Sequence, residues 1–170
     1  MVDYIRQRFA NDSIVLLGFG REGQSSYSLL RKAFPDKELA IADANESIGD
    51  NPLIKNDSHL TLITGEDYKE QISEFDIIFR SPGIPVWQLV SPENKITISP
   101  IHHFAISRGQ ITSQSELFLQ RYSSQVIGVT GTKGKSTTSS LICHILKTAG
   151  TEVLLAGNIG NPVFNFVDII

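Results

Sequence analysis

Val126-Ile-Gly-Val-Thr-Gly-Thr-Lys-Gly-Lys-Ser-Thr-Thr138 is the stretch on which the reading of this chain turns. The apolar run Val126 to Val129 predicts a buried strand. Gly128, Gly131 and Gly134 follow at even spacing, then Lys135 and Ser136, and a helical pattern begins at once. Strand, glycine loop, lysine and helix start together form a phosphate cradle. Glycines let backbone N–H groups approach anionic oxygens, and the free N–H groups and dipole of a helix N-terminus favour negative charge. The lysine adds a positive charge at the outer phosphates, and a serine hydroxyl in this place ligates magnesium. The usual pattern has four residues between the first glycine and Gly-Lys. Here Val129 stands at that first position and the nearest upstream glycine, Gly128, leaves five between. The alternative is an ordinary glycine-rich turn, which the Lys-Ser-Thr-Thr helix start argues against.

A second glycine turn lies near the start. Ser13-Ile-Val-Leu-Leu-Gly18 is a continuous apolar run, as expected for a parallel strand covered on both faces. Gly18-Phe-Gly-Arg-Glu-Gly23 completes a G-x-G-x-x-G, and Ser25 to Phe34 reads as a helix ended by Pro35. Leu39 to Ala42 is a second strand, with Asp43 at its carboxyl end, twenty residues past Gly23. Strand, glycine turn, helix, strand and acid form a dinucleotide fingerprint. It predicts a ribose- or phosphate-bearing ligand without naming NAD. A tight turn with no ligand is the plainer alternative.

Outward from these turns, Met1 to Ala10 predicts a short helix with Val2, Ile5 and Phe9 on one face. Residues 44–58 read as a loop, Leu60 to Ile63 as a short strand, Asp67 to Ser73 as a helical turn or two, and Phe75 to Phe79 as a buried strand. Arg80-Ser-Pro-Gly-Ile-Pro85 is a rigid turn at that strand's carboxyl end, where open α/β sheets bind ligands. Lys95 to Ser99 predicts a strand and Pro100 to Ile106 a helix. The adjacent His102 and His103 lack the spacing of a metal site. Gln110 to Ser113 predicts a short strand and Ser115 to Tyr122 a helix. Leu141, Ile142, Ile145, Leu146 and Ala149 make an apolar stripe on a helix over 136–148, with Gly150 placed to cap it. Glu152 to Ala156 predicts a further parallel strand, running into the small-residue loop Gly157-Asn-Ile-Gly-Asn-Pro162 beside the phosphate loop.

The expected fold is α/β. A Rossmann-like parallel-sheet domain over 1–100 is followed by the start of a P-loop ATPase domain over 101–170. The 170 residues are 41% hydrophobic and 19% charged, with net charge −3, which fits a globular chain and gives no reason to expect a nucleic-acid partner. The single cysteine, Cys143, sits among apolar residues and reads as a small core residue. No apolar run reaches the length of a membrane span, and Met1 to Ala10 is not a signal peptide. The expectation is a cytoplasmic monomer without membrane contact. A P-loop domain takes a further magnesium-binding carboxylate from a later strand, so the chain reads as the front portion of a larger protein.

Thr130-Gly-Thr-Lys-Gly-Lys-Ser-Thr-Thr138 resembles the ATP loop of the Mur ligases, which build the peptide of bacterial cell-wall precursors, and the shifted glycine is that family's own spacing. The Gly18 to Gly23 turn, Ser81-Pro-Gly-Ile84, Ser115-Glu-Leu-Phe118 and Gly157-Asn-Ile-Gly160 resemble the branch that adds D-glutamate, in order and spacing along the whole chain. The resemblance implies a three-domain enzyme that uses ATP and Mg2+ to join D-glutamate to UDP-N-acetylmuramoyl-L-alanine through an acyl phosphate. These small molecules would be its partners. It implies that the first domain binds the UDP part of the substrate. Gly18, Phe19, Gly20, Arg21, Glu22, Gly23, Asp43, Ser81, Pro82 and Gly83 would then contact uridine and diphosphate, and Asn158 the sugar-diphosphate side. It implies that Gly131, Thr132, Lys133, Gly134, Lys135, Ser136, Thr137 and Thr138 hold ATP, with Lys135 catalytic and Ser136 on the metal. It implies that this piece by itself is inactive. Three other readings stay open: an NAD(P)-binding oxidoreductase domain, a non-enzymatic nucleotide-binding module complete at 170 residues, and a sister Mur ligase adding another amino acid.

Overall fold

The computed structural model describes residues 1–84, 111–157 and 161–170. The expected strand at Lys95 to Ser99, the helix at Pro100 to Ile106 and the pair His102 and His103 lie outside the described residues. The chain divides into two compact units, Met1–Gln114 and Ser115–Ile170.

The first unit is built on a parallel sheet of β1 (Ile14–Leu17), β2 (Leu39–Asp43), β3 (Leu60–Thr64), β4 (Ile77–Arg80) and β5 (Ile111–Thr112). The spatial order is β3-β2-β1-β4-β5. This is the α/β, Rossmann-like order expected for the domain. Central β1 pairs Leu17 with Ala42 on one side and with Arg80 on the other. Its four side chains are buried, which is why it reads as an unbroken apolar run rather than an alternating one. On one face Val15, Leu17, Ala40, Ala42, Ile63 and Ile78 form a core with Tyr68 and Ile72.

Helices α1 (Val2–Phe9) and α2 (Arg21–Ala33) pack against one another. Ile5 and Phe9 are buried, and the Phe9 ring meets Phe79 of β4 edge-on at 5.6 Å. Arg6 Nε donates to the Ala33 carbonyl at 3.0 Å, satisfying one of the orphan acceptors at the end of α2. Helix α2 begins at Arg21, four residues before the expected Ser25. Gly20 is its extended N-cap, and the first-turn glycine at 23, unfavourable by propensity, is required by packing. The loop over 44–58 contains a short 3-10 turn, Glu46–Asp50, whose start is held by Asn45 accepting from the Ser47 N–H at 3.0 Å.

Arg31 fastens the far end of α2. Its guanidinium donates to the carbonyls of Phe34, Pro35 and Lys37, each at 2.9 Å, and to His59 at 3.1 Å. It also pairs with Asp57 at 2.7 Å, where Tyr27 donates its hydroxyl to the same carboxylate at 2.5 Å.

The second unit contains most of α3 (Gln114–Tyr122) and α4 (Lys135–Thr148). The end of α4 is closed as expected. The Thr151 N–H reaches the Leu146 carbonyl at 2.9 Å and the Gly150 N–H reaches Lys147 at 3.0 Å, a Schellman pair. Cys143 is buried, as expected. Two expected strands are not formed. Val126 to Val129 and Glu152 to Ala156 join no ladder, and the nearby pairing is one isolated antiparallel bridge, Gly157 with Asn161. An extended segment becomes a strand only against a neighbour that takes its N–H and C=O groups. Among the described residues neither segment has one, and Ile127 and Leu154 stand 64% and 48% exposed. Leu141 and Ile145 of the α4 stripe are likewise exposed.

The Asp57 cluster gives a pH prediction. Burial by itself would raise the Asp57 carboxyl, but hydrogen bonds from Tyr27 and the His59 N–H, with the charge of Arg31, outweigh it and hold it below the usual range. A depressed native value stabilises the fold above the unfolded value of about 3.9, and that contribution is lost as pH falls through the native value. Asp57→Asn should therefore cost about 1–3 kcal/mol at pH 7. The gap between wild type and variant should close on acidification below about pH 4. Urea titrations at several pH values measure both. A gap that is independent of pH would show that the carboxylate charge does not stabilise this corner.

Candidate functional site

The sheet brings three chain-distant points together at its carboxyl edge. Leu17 lies beside both Ala42 and Arg80, so Gly18, Asp43 and Ser81 follow as neighbours. The Gly18 N–H donates to the Ala42 carbonyl at 2.8 Å, and the Ser81 N–H to the Leu17 carbonyl at 2.9 Å. Gly18 sits at φ +89°, a conformation that L side chains rarely adopt, and a Cβ there would lie 2.9 Å from the Ile84 side chain. The following turn brings α2 down almost onto β1. A Cβ on Gly23 would lie 2.1 Å from the Gly18 carbonyl oxygen.

The start of α2 carries no side-chain cap, and its first helical bond runs from the Gln24 N–H to the Gly20 carbonyl at 2.9 Å. The N–H groups of Arg21, Glu22 and Gly23 therefore lack intrahelical acceptors. Gly20 and Arg21 are exposed, and so are Pro82 and Gly83 on the adjacent turn. An uncapped helix start beside a second turn of small residues suits an anion.

Asp43 and Ser81 are already engaged. Asp43 Oδ2 accepts from the Phe19 N–H at 2.7 Å and Oδ1 from the Asn45 N–H at 2.9 Å. Ser81 Oγ donates to the Gly18 carbonyl at 2.9 Å. The Phe19 ring is buried edge-on against Tyr27, so this residue presents only backbone to the turn. Burial pushes the Glu22 carboxyl above its ordinary value, and the nearby Arg80 guanidinium opposes that. Burial raises the Tyr68 hydroxyl, and the negative charge of Asp43 adds to it.

Two residues here have no expected role from the sequence. Arg80 donates to the Ile84 carbonyl at 2.7 Å and so closes the Ser81–Ile84 turn from inside. Gln114, 2% exposed, donates to the Glu22 carbonyl at 2.6 Å and to Ser26 Oγ at 2.9 Å, fixing the first turn of α2. A cation ending an apolar strand, and an amide between a strand and a helix, are the signals that could have found them.

In the second unit, residues 130–138 are all exposed. Gly134 is the N-cap of α4 at φ +78°, again left-handed, with no side-chain cap. Lys135 folds back so that its amine donates to the Gly131 carbonyl, and the Thr138 N–H closes the first helical bond onto Gly134 at 2.9 Å. The amine thus spans the loop above an open helix N-terminus, an arrangement that fits polyphosphate. Ser136 lies in the first turn of α4. Among the described residues no group of three His, Cys, Asp or Glu side chains forms a metal site, and no helix is long and apolar enough to cross a membrane. Asn158 lies outside the described residues.

No family model matches the chain. Individual proteins do. It is 34% identical over 169 residues to a UDP-N-acetylmuramoylalanine–D-glutamate ligase of Clostridium kluyveri, covering 99% of this chain and 34% of that one. It is 32% identical over 160 residues to a UDP-N-acetylmuramoyl-L-alanine–L-glutamate ligase of Xylella fastidiosa, covering 91% and 32%. A D-glutamate ligase of Clostridium novyi is 26% identical over 98% of the chain. The chain spans about a third of the length of the curated relatives it matches. The match to such ligases along nearly the whole chain, the parallel sheet and the two glycine turns agree, and the chain belongs to the Mur ligase family, of which it corresponds to an N-terminal portion.

Proposed function

We propose that the chain is the nucleotide-sugar- and ATP-binding front of a ligase that joins glutamate to UDP-N-acetylmuramoyl-L-alanine. The observation that carries this is the presence of two separate glycine turns, each opening an uncapped helix N-terminus. The unit Met1–Gln114 takes the UDP end and the unit Ser115–Ile170 the ATP phosphates. In the first, the N–H groups at the start of α2 receive the diphosphate, with Gly20, Arg21, Pro82 and Gly83 at the exposed rim. In the second, Lys135 moves from the Gly131 carbonyl onto the transferring phosphate and spreads its charge, while Thr132, Lys133, Thr137 and Thr138 line the loop and helix start. A magnesium ion held by Ser136 would supply further neutralisation of the phosphate oxygens.

The chemistry balances in two steps. A carboxylate oxygen of the substrate's L-alanine attacks the γ-phosphorus, and ADP leaves with its bridging oxygen. The glutamate amine then attacks the acyl carbon and phosphate leaves, giving an amide after loss of the amine proton. The relatives' names divide between D- and L-glutamate at similar identity, so a panel of amino acids belongs in the assay.

Three outcomes test this reading. The chain should bind UDP in preference to NADH in a calorimetric titration, and tight NADH binding without UDP binding would instead support an oxidoreductase domain. Gly23→Ala, which drives a methyl into the Gly18 carbonyl, should abolish UDP binding. In the full-length ligase, Lys135→Ala should lower phosphate release by about a hundredfold or more while leaving UDP-substrate affinity unchanged. Near-normal turnover of that variant would remove the loop from the mechanism.

A further inference from the structure

The Gly18 carbonyl and the Phe19 N–H belong to one peptide group, and side chains from two other strands hold both ends of it. Asp43, at the end of β2, takes the N–H at 2.7 Å, and Ser81, just past β4, donates to the C=O at 2.9 Å. A flip of this peptide would rotate ψ of Gly18, which has no Cβ to resist it, together with φ of Phe19. Here a flip would break both bonds and turn the N–H away from a carboxylate. The same carbonyl oxygen is the atom against which Gly23 is packed, at a separation that leaves no room for a Cβ. The orientation of this one peptide therefore fixes where the first turn of α2 sits, and with it the N–H groups that would meet an anion.

The geometry points to Asp43 and Ser81 as positioning residues that act on the bound nucleotide by clamping the Gly18–Phe19 peptide. An acid at the end of the second strand is ordinarily read as a ribose ligand. In this chain each of its oxygens already accepts a backbone N–H, the second from Asn45 at 2.9 Å. The single hydroxyl proton of Ser81 is committed to Gly18. The clamp also withdraws the Phe19 N–H from the ligand and assigns anion binding to the start of α2. Preorganised donors of this kind cost no reordering when the anion arrives.

This inference rests on the UDP reading above, and its test separates the two. Wild type, Asp43→Asn and Ser81→Ala are titrated with UDP, uridine and inorganic pyrophosphate. Replacing the Asp43 carboxylate by a carboxamide would turn an N–H2 group toward a backbone donor. Affinity for UDP and for pyrophosphate should then fall by the same factor, about tenfold, with uridine unaffected. Ser81→Ala should give the same pattern more weakly, and it decides the matter if Asp43→Asn does not fold. Equal losses for UDP and uridine, with pyrophosphate unchanged, would make these residues direct nucleoside contacts and overturn the clamp. Failure of the wild type to bind either UDP or pyrophosphate would overturn the nucleotide reading instead. The clamp is then judged by hydrogen exchange of the Phe19 amide, which should quicken in Asp43→Asn; an unchanged rate overturns it.

Discussion

The contact between Gly23 and the Gly18 carbonyl is the constraint from which the first unit is arranged. A Cβ at position 23 would stand 2.1 Å from that oxygen, so helix and strand meet backbone to backbone. That approach sets the α2 axis over β1 and leaves the first helical N–H groups at the carboxyl edge of the sheet. Asp43 and Ser81 reach this edge because β2 and β4 flank β1 in parallel register. Their bonds to Phe19 and Gly18 are local consequences of topology. At the other end of α2, the Arg31 cluster secures the chain as it turns toward β2, so the helix is held at both termini.

Among the described residues, the second glycine loop has no such frame. Gly134 in the left-handed region opens α4, and Lys135 spans the loop to Gly131, so the cradle is formed by the local chain alone. In the second unit Ile127, Leu141, Ile145 and Leu154 are all exposed. A glycine loop needs only backbone geometry to form, whereas the strands that usually flank one need neighbours.

That difference also explains what can be read from the sequence. The central strands are legible because parallel strands buried on both faces become unbroken apolar runs, as in Ile14 to Leu17 and Leu39 to Ala42. Both glycine turns are legible because positive φ and close approach leave few residue choices. The start of α2 falls earlier than the pattern predicts because Gly23, unfavourable in a helix by propensity, is held in its first turn by packing on Gly18. Two strands of the second unit are expected and not found, because Val126 to Val129 and Glu152 to Ala156 have strand composition without a paired neighbour among the described residues. Asp43 stands at the end of the second strand as the pattern predicts, but spacing cannot disclose that its oxygens reach Phe19 and Asn45. The same limit hides Gln114, whose partner at Glu22 lies 92 residues away in the chain.

A diphosphate bound at the carboxyl edge of the first sheet would sit on the backbone amides at the start of α2, and heteronuclear NMR of the chain titrated with UDP reads those amides one by one. Saturable shifts are expected at Arg21, Glu22, Gly23 and Gly83, with the amides of Ser13, Leu39 and Asp76 at the opposite edge unmoved. Saturable shifts confined to that opposite edge, or none at the glycine turn, would rule out a diphosphate site at the start of α2.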